Sequence, residues 1–386
     1  MFKYIVVGAG FAGAVMAERI ANERNEQVLI IERRQHIAGN AYDQYNSHGI
    51  LVHRYGPHIF HTNMKEVWEY LSQFTEWHPY QHEVLGYIDG MQVPIAINLN
   101  SLSQLLPHSV AKGIEQKLIQ TFGYESKVPI LRLRETEDEQ LKWLAELIYN
   151  KVFLNYTIKQ WGVQPEELNP QVTGRVPVKL SRDNRYFQDR YQGIPKHGYT
   201  RMFERMLSNP NIRLMLNTSY QEVVELDPIT KRIRLFGQPF DGQLIYTGKI
   251  DELFDYSLGE LPYRSLHFES STLNQPNYQQ VGTVNYPNDY AFTRITEFKH
   301  LTGQQHAATT IVREYPQEYD RHVPGKDIPY YPFPNDVNHA LYAQYRTLAK
   351  SYRQLTLLGR LAEYTYYDMD AVVAKALKVY LERIHE

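Results

Sequence analysis

Gly8, Gly10 and Gly13 lie between an apolar run, Tyr4-Ile5-Val6-Val7, and a stretch of helical character, and a second run, Gln27-Val28-Leu29-Ile30-Ile31, ends in Glu32. These types at this spacing can hold a dinucleotide. Gly8 permits a tight turn, Gly10 lets a pyrophosphate approach the backbone, Gly13 lets a helix pack close to a strand, and Glu32 is placed to accept hydrogen bonds from a ribose. Amides at the helix start would hold the phosphates. The elements that must position these groups are a strand, a glycine turn, a helix and a second strand. Lys3 with the following apolar residues and Ala12-Gly13-Ala14 also mimics a secretory signal. The three glycines interrupt that run, however, and Glu18 and Arg19 bring charge where a signal stays apolar.

The bulk composition narrows the chemistry. A chain of 386 residues can form two or three domains with a substantial core. Its 41 Lys and Arg against 43 Asp and Glu leave a formal charge of -2, so no global basic field draws nucleic acid or anionic lipid. The absence of cysteine excludes disulfides, thiolate metal sites and cysteine nucleophiles. No uninterrupted apolar run approaches a membrane span, and a soluble cytoplasmic protein is expected. Thirty-one tyrosines are the unusual feature. Each offers a flat apolar face and a hydroxyl, suited to stacking on bases or sugars and to binding phosphate oxygens, although most are expected simply to pack at half-buried positions.

Further along, Arg33 to Asn40 reads as a turn wrapping back over the phosphates. Asn63 with Glu66, Ser101 with Gln104 and Thr136 with Glu139 have capping-box spacing. Residues 84–97 read as a hairpin turning at Asp89-Gly90, and 100–150 as a helical insertion. A helix is expected at 200–208, a strand at 212–216, a hairpin at 221–236 and a return strand at 244–248. Alternation at 264–270, 279–285, 289–296 and 307–315 predicts an antiparallel sheet, and Ala371–Ile384 a helix capped by Asp370. The dinucleotide half is therefore split by insertions.

Several blocks together resemble the UDP-galactopyranose mutase family of bacteria. They are Arg54-Tyr55-Gly56-Pro57-His58-Ile59-Phe60-His61-Thr62, Phe153 to Gly162, Asn184-Arg185-Tyr186-Phe187, Thr293-Arg294-Ile295-Thr296-Glu297 and Arg313-Glu314-Tyr315-Pro316. Pro329-Tyr330-Tyr331-Pro332, Gly359-Arg360-Leu361 and Tyr366-Tyr367-Asp368-Met369-Asp370 complete the set, which runs nearly end to end. The resemblance implies an α/β fold: a Rossmann-like FAD-binding domain with a helical insertion and an antiparallel β-sheet domain. The corresponding divisions are 1–80, 190–260 and 340–386 for the FAD-binding domain, 98–165 for the helical domain, and 81–97, 166–189 and 261–339 for the substrate domain. It further implies interconversion of UDP-galactopyranose and UDP-galactofuranose without net redox, through a covalent adduct between reduced FAD and the anomeric carbon. A homodimer is part of the same expectation.

The residue roles that the resemblance implies follow the blocks. Arg175 and Arg294 hold the diphosphate, Arg175 from a mobile segment at 170–180, and Tyr186, Tyr330 and Tyr366 donate hydroxyls to it. Phe153, Tyr156 and Phe187 face the uracil with Thr157 nearby, Trp161 borders the sugar, and Arg264 joins the substrate contacts. His58 lies against the flavin with its backbone carbonyl toward the central-ring nitrogen, and Glu314 orients the arginines. Arg360 and Asp368 lie close to flavin and substrate, and a helix starting at Met369 directs its amide end to the flavin. Gly8, Gly10, Phe11, Ala12, Gly13, Glu32, Arg33, Gly39, Asn40, His58 and Ile59 bind the cofactor together with Arg360, Asp368 and Met369. No metal is expected, because the spacing of His53, His58 and His61 supplies no convincing ligand set.

Two positions depart from the family pattern. Lys249 replaces a proline after Thr247-Gly248, and an expanded 323–327 stretch leaves Tyr330 and Tyr331 as alternatives at the diphosphate. A flavin oxidase of the amine-oxidase type and a non-catalytic sugar-nucleotide sensor remain the rival readings.

Overall fold

The computed structural model describes residues 2–167, 177–333 and 335–384. Tyr4–Val7 and Val28–Ile31 are buried along their whole length, and they pair in parallel with Tyr4 opposite Val28. Continuous apolar strands of this kind require cover on both faces. The sheet they begin has five strands in the order Ile212–Met215, Val28–Ile31, Tyr4–Val7, Gln243–Tyr246 and Leu355–Leu357. Helices Phe11–Glu23, Tyr199–Met206 and Met369–Arg383 pack one face, and the helix Asp336–Lys350 with the strands around Val224, Ile233 and Phe240 covers the other.

A second sheet has seven strands, in the order Tyr331–Pro332, Tyr263–Leu273, Thr309–Glu318, Arg294–Glu297, Thr283–Asn285, Val84–Ile88 and Met91–Ile95. The antiparallel expectation is corrected at one seam, because Thr283–Asn285 and Val84–Ile88 run parallel. The intervening chain departs into other elements and re-enters in the same direction, giving a mixed sheet. Helices Leu99–Leu105, His108–Phe122, Ile130–Arg134 and Glu139–Ile148 enclose a separate apolar core around Leu118, Leu133 and Leu144.

Cap positions shift from the sequence reading. Asn98, not Ser101, caps Leu99–Leu105, and Ser101 closes the box from the third helical position. Asp138 replaces Thr136 ahead of Glu139–Ile148, accepting from Gln140 and Leu141 amides. Asn63 makes no cap; its side chain bridges to Asp189 and Arg190. The last helix begins at Met369, with Asp368 at the cap position.

One buried carboxylate ties the mixed sheet to its loops. Glu297, fully buried, accepts the Tyr278 and Gln279 amides and the Thr309 hydroxyl, and lies 3.3 Å from His300 Nε2. Burial raises its pKa, but these bonds outweigh burial and the net shift is downward. A depressed carboxylate contributes stability above its unfolded pKa and loses it as pH falls through the folded value. Glu297→Ala is therefore expected to cost about 3 kcal/mol in denaturant unfolding at neutral pH, with the gap to wild type closing on acidification.

Candidate active site

The turn after the first strand opens a cleft built by glycines. A Cβ on Gly13 would stand 2.0 Å from the Gly8 carbonyl oxygen, so helix Phe11–Glu23 reaches the strand only because that atom is missing. Gly10 precedes the helix with no side-chain cap, leaving the first-turn amides open to an anion. Glu32 is fixed by the amides of Ala9 and Arg34, each at 2.9 Å. The strap after it folds back, with the Ala38 amide donating to the Ala9 carbonyl, and Gly39 with φ +55 approaching Gly10. The cleft is lined by Gly8, Gly10, Phe11, Ala12, Glu32 and Arg33, and beyond them by Gly39, Asn40, His58, Arg360 and Met369.

A second cavity opens on the mixed sheet. Sheet register sets Gly86 beside Asn285, Asn285 beside Arg294 and Arg294 beside Glu314, so residues distant in sequence form one row across four strands. Arg294 Nε lies 3.2 Å from Glu314 Oε1, and Arg294 Nη2 donates to the Tyr156 hydroxyl at 3.1 Å. Burial opposes the Arg294 charge, but Glu314 together with Tyr156, Tyr331 and Tyr186 outweighs it, and the net shift is upward. Burial pushes the Glu314 carboxyl up while Arg294 pulls it back, and burial moves the Tyr156 phenol to about 12.

Facing this row is the chain from Phe153 to Trp161. Tyr149–Leu154 forms a π-helical turn that leads into the α-helix Asn155–Trp161. Helix insertions of this type re-aim side chains at functional sites. Phe153, Tyr156, Thr157, Gln160 and Trp161 all face the cavity, joined by Tyr186, Tyr331 and Tyr366. Gln160 Oε1 and Asn285 Oδ1 have no hydrogen-bond partner among the described residues. Two unpaired acceptors in an aromatic cavity are sites for a polar ligand. Arg360 separates the two cavities: its Nη atoms donate to the carbonyls of Tyr330 and Tyr367, and its guanidinium lies 5.0 Å from the Tyr366 ring and 5.6 Å from that of Tyr331.

The family model described as UDP-galactopyranose mutase matches residues 151–366, which supply most of the lining of the second cavity. The chain belongs to this family. A model of the NAD(P)-binding Rossmann-like domain matches residues 6–74. Relatives match along the whole length: a Klebsiella pneumoniae "Probable UDP-galactopyranose mutase" is 36% identical, covering 97% of this chain and 92% of its own. A Mycoplasma pneumoniae UDP-galactopyranose mutase is 35% identical over 97% and 94%, and an Escherichia coli dTDP-fucopyranose mutase 33% over 98% and 97%. A crystal structure of reduced UDP-galactopyranose mutase superposes with a TM-score of 0.73 at 15% identity, covering 99% of this chain and 94% of that one, which shows the shared fold.

As in the mutase family, the cofactor is FAD. The first cleft fits it, since the hard contact at Gly13 and the uncapped helix start leave a trough of bare backbone where a diphosphate sits.

Some of the residues expected at the mutase site stand elsewhere. Arg175 lies outside the described residues. Arg264 is 6% exposed and donates to the Gln160 and Lys159 carbonyls, bracing the C-terminal end of the aromatic helix rather than lining its cavity. Phe187 stacks on His61 at 3.6 Å, beside the cavity lining. Ile59 is packed with Ile194, Phe298 and Leu301, and Gly13 acts through packing rather than contact with the cleft. Asp368 is exposed, outside both linings, at the start of the helix that Met369 carries into the first cleft. Tyr330 lines the FAD cleft and Tyr331 the second cavity. Sequence reasoning missed Gln160 and Asn285 on the substrate side, and Tyr220, Tyr246 and Thr247 on the cofactor side. A single Gln in a helix or an Asn at a strand end gives no local signal of what it faces.

Proposed function

We propose that this chain interconverts UDP-galactopyranose and UDP-galactofuranose, supplying galactofuranose for cell-surface polysaccharide. The observation that carries the reading is Arg294, half-buried in an aromatic cavity that abuts the FAD cleft across Arg360. Bound reduced FAD supplies a nucleophile for the anomeric carbon, with no net redox change.

The chain's own residues then have defined tasks. Arg294, with Arg175, neutralises the diphosphate, and the hydroxyls of Tyr186, Tyr331 and Tyr366 bond its oxygens. Phe153 and Tyr156 stack the uracil, while Gln160 Oε1 and Asn285 Oδ1 accept from its ring N–H or from ribose hydroxyls. Trp161 closes the sugar side. Glu314, 3.2 Å away, holds the Arg294 guanidinium in place, so no reorganisation is needed when the leaving UDP gains charge. Tyr331, which lines the second cavity, is proposed at the diphosphate in preference to Tyr330, which lines the FAD cleft. Tyr331→Phe is expected to raise KM about tenfold with flavin content unchanged, and Tyr330→Phe to leave KM near wild type; steady-state kinetics on both variants check this.

The Escherichia coli relative favours a second reading, dTDP-fucopyranose as substrate. The decisive experiment offers UDP-galactofuranose and dTDP-fucofuranose separately to the reduced protein and resolves the sugar nucleotides by chromatography. Preferred conversion of the first supports the proposal, and preferred conversion of the second replaces it. No helix among the described residues is long and apolar enough to cross a membrane, which is compatible with a cytoplasmic site of action, and a homodimer is proposed on the family resemblance.

A further inference from the structure

The two acceptors of the second cavity that have no hydrogen-bond partner among the described residues stand on different elements. Gln160 is on the helix Asn155–Trp161, and Asn285 ends the strand Thr283–Asn285. A lysine next to the first reaches the residue next to the second. Lys159 Nζ donates to the Tyr286 carbonyl at 2.8 Å, so this bond joins the immediate neighbours of both acceptors. One turn earlier the tie is repeated through Asn288, whose Oδ1 accepts from Asn155 Nδ2 at 3.0 Å and whose Nδ2 donates to the Lys151 carbonyl at 2.9 Å. Pro287, between the two ties, lines the cavity.

Each wall is also fixed from behind. Arg264 Nε donates to the Gln160 carbonyl at 3.0 Å, and the Tyr286 amide donates to the Thr293 carbonyl at 2.8 Å. Lys159 itself is half-buried, and burial pulls its pKa down to about 8 against the opposing pull of Asp289. An ammonium there carries a desolvation cost that an apolar side chain would avoid. What the lysine supplies in return is its bond to Tyr286, and because the neutral amine keeps N–H groups, that bond persists on both sides of the pKa. Neither wall carries both acceptors, so their separation depends on how the helix sits on the strand.

We propose that Lys159 is a positioning residue for the sugar nucleotide: by tying the aromatic helix to the Tyr286 carbonyl it holds Gln160 and Asn285 at the separation one ligand spans, with Asn288 as the second tie. A ligand gains most from hydrogen-bonding partners that are already in place, because ordering them on binding subtracts from affinity. Without the tie, the helix and the strand end move independently and the ligand itself must order them. The loss falls on nucleotide binding, since Lys159 lines neither cavity and the FAD cleft lies on the far side of Arg360. The inference rests on a sugar nucleotide occupying this cavity.

The test titrates UDP and dTDP by calorimetry into the purified flavoprotein as wild type, Lys159→Met and Lys159→Arg, and measures KM and kcat for the same three proteins. Methionine matches the lysine stem and removes the donor, whereas arginine keeps a donor at similar reach. For the nucleotide that wild type binds more tightly, Lys159→Met is expected to raise the dissociation constant about tenfold, with KM rising in step and the loss in kcat much smaller. Lys159→Arg is expected to stay within about threefold of wild type. An unchanged dissociation constant in the methionine variant, equal losses in both variants, or a loss confined to kcat overturns the proposal. Should the methionine variant fail to fold, Asn288→Ala removes the second tie and is expected to weaken the nucleotide about threefold; unchanged binding there also overturns it. Wild-type protein that binds neither nucleotide would negate the sugar-nucleotide reading instead, a separate and visible outcome.

Discussion

Arg294→Ala is expected to lower kcat by two to three orders of magnitude while the protein keeps its flavin. The guanidinium reaches the second cavity from the first residue of strand Arg294–Glu297, ion-paired with Glu314 and hydrogen-bonded to Tyr156, whereas the glycine turn lines the other cleft. Removing a preorganised charge that faces a developing negative charge costs about 10²–10³ in rate. The substitution has a second effect, because Glu314 is 3% exposed and loses its counter-charge. Breaking a fully buried pair from one side costs about 3–5 kcal/mol, and with Arg294 half-buried the expected loss is nearer about 2 kcal/mol. The double variant Arg294→Ala with Glu314→Gln separates the two effects. It is expected to recover much of the stability and none of the turnover, whereas restored turnover would make Arg294 a structural residue only.

Gly13→Val is expected to yield protein with less than about a tenth of the wild-type flavin content. A side chain at 13 collides with backbone, the Gly8 carbonyl oxygen at 2.0 Å, and also with Val6 Cγ1 at 2.9 Å. Backbone cannot rotate aside as a flexible side chain does, so the helix must move away from the first strand. The amides at its start then lose their aim at the cofactor phosphates. Helix displacement also costs core packing, and flavin content should therefore be read per mole of folded protein, by absorbance alongside circular dichroism. Full flavin content in the variant would show that the cofactor is held by other contacts.

The cofactor half was legible because its determinants are local. Gly8, Gly10, Gly13 and Glu32 fall within one strand-turn-helix-strand unit, and each has a conformational reason visible in its residue type. The substrate half was legible only as blocks of resemblance, and the reason is geometric. Gly86, Asn285, Arg294 and Glu314 become neighbours through sheet register, and register across four strands leaves no mark in any one of them. The same rule explains the tyrosine pair. Tyr331 enters an edge strand paired with Tyr263–Leu273, and successive residues there point to opposite faces, so the one-residue choice between 330 and 331 decides between cofactor and substrate sides. Arg264 shows the opposite limit: an arginine placed by resemblance among substrate contacts spends its donors on the carbonyls of the helix that carries Tyr156 and Trp161. Helix caps were misplaced by three residues at Asn98 and by two at Asp138, where a neighbouring polar residue offered an equally good acceptor.

The central claim is that two adjoining cavities, one for FAD and one for a sugar nucleotide, perform a rearrangement with no net redox change. The most direct test incubates the purified flavoprotein anaerobically with UDP-galactofuranose, with and without dithionite, and follows both sugar nucleotides and the flavin spectrum. Conversion to UDP-galactopyranose only after reduction, over many turnovers with the flavin still reduced at the end, is the predicted result. Flavin reoxidised in step with product, or no conversion with reduced FAD bound, would contradict it.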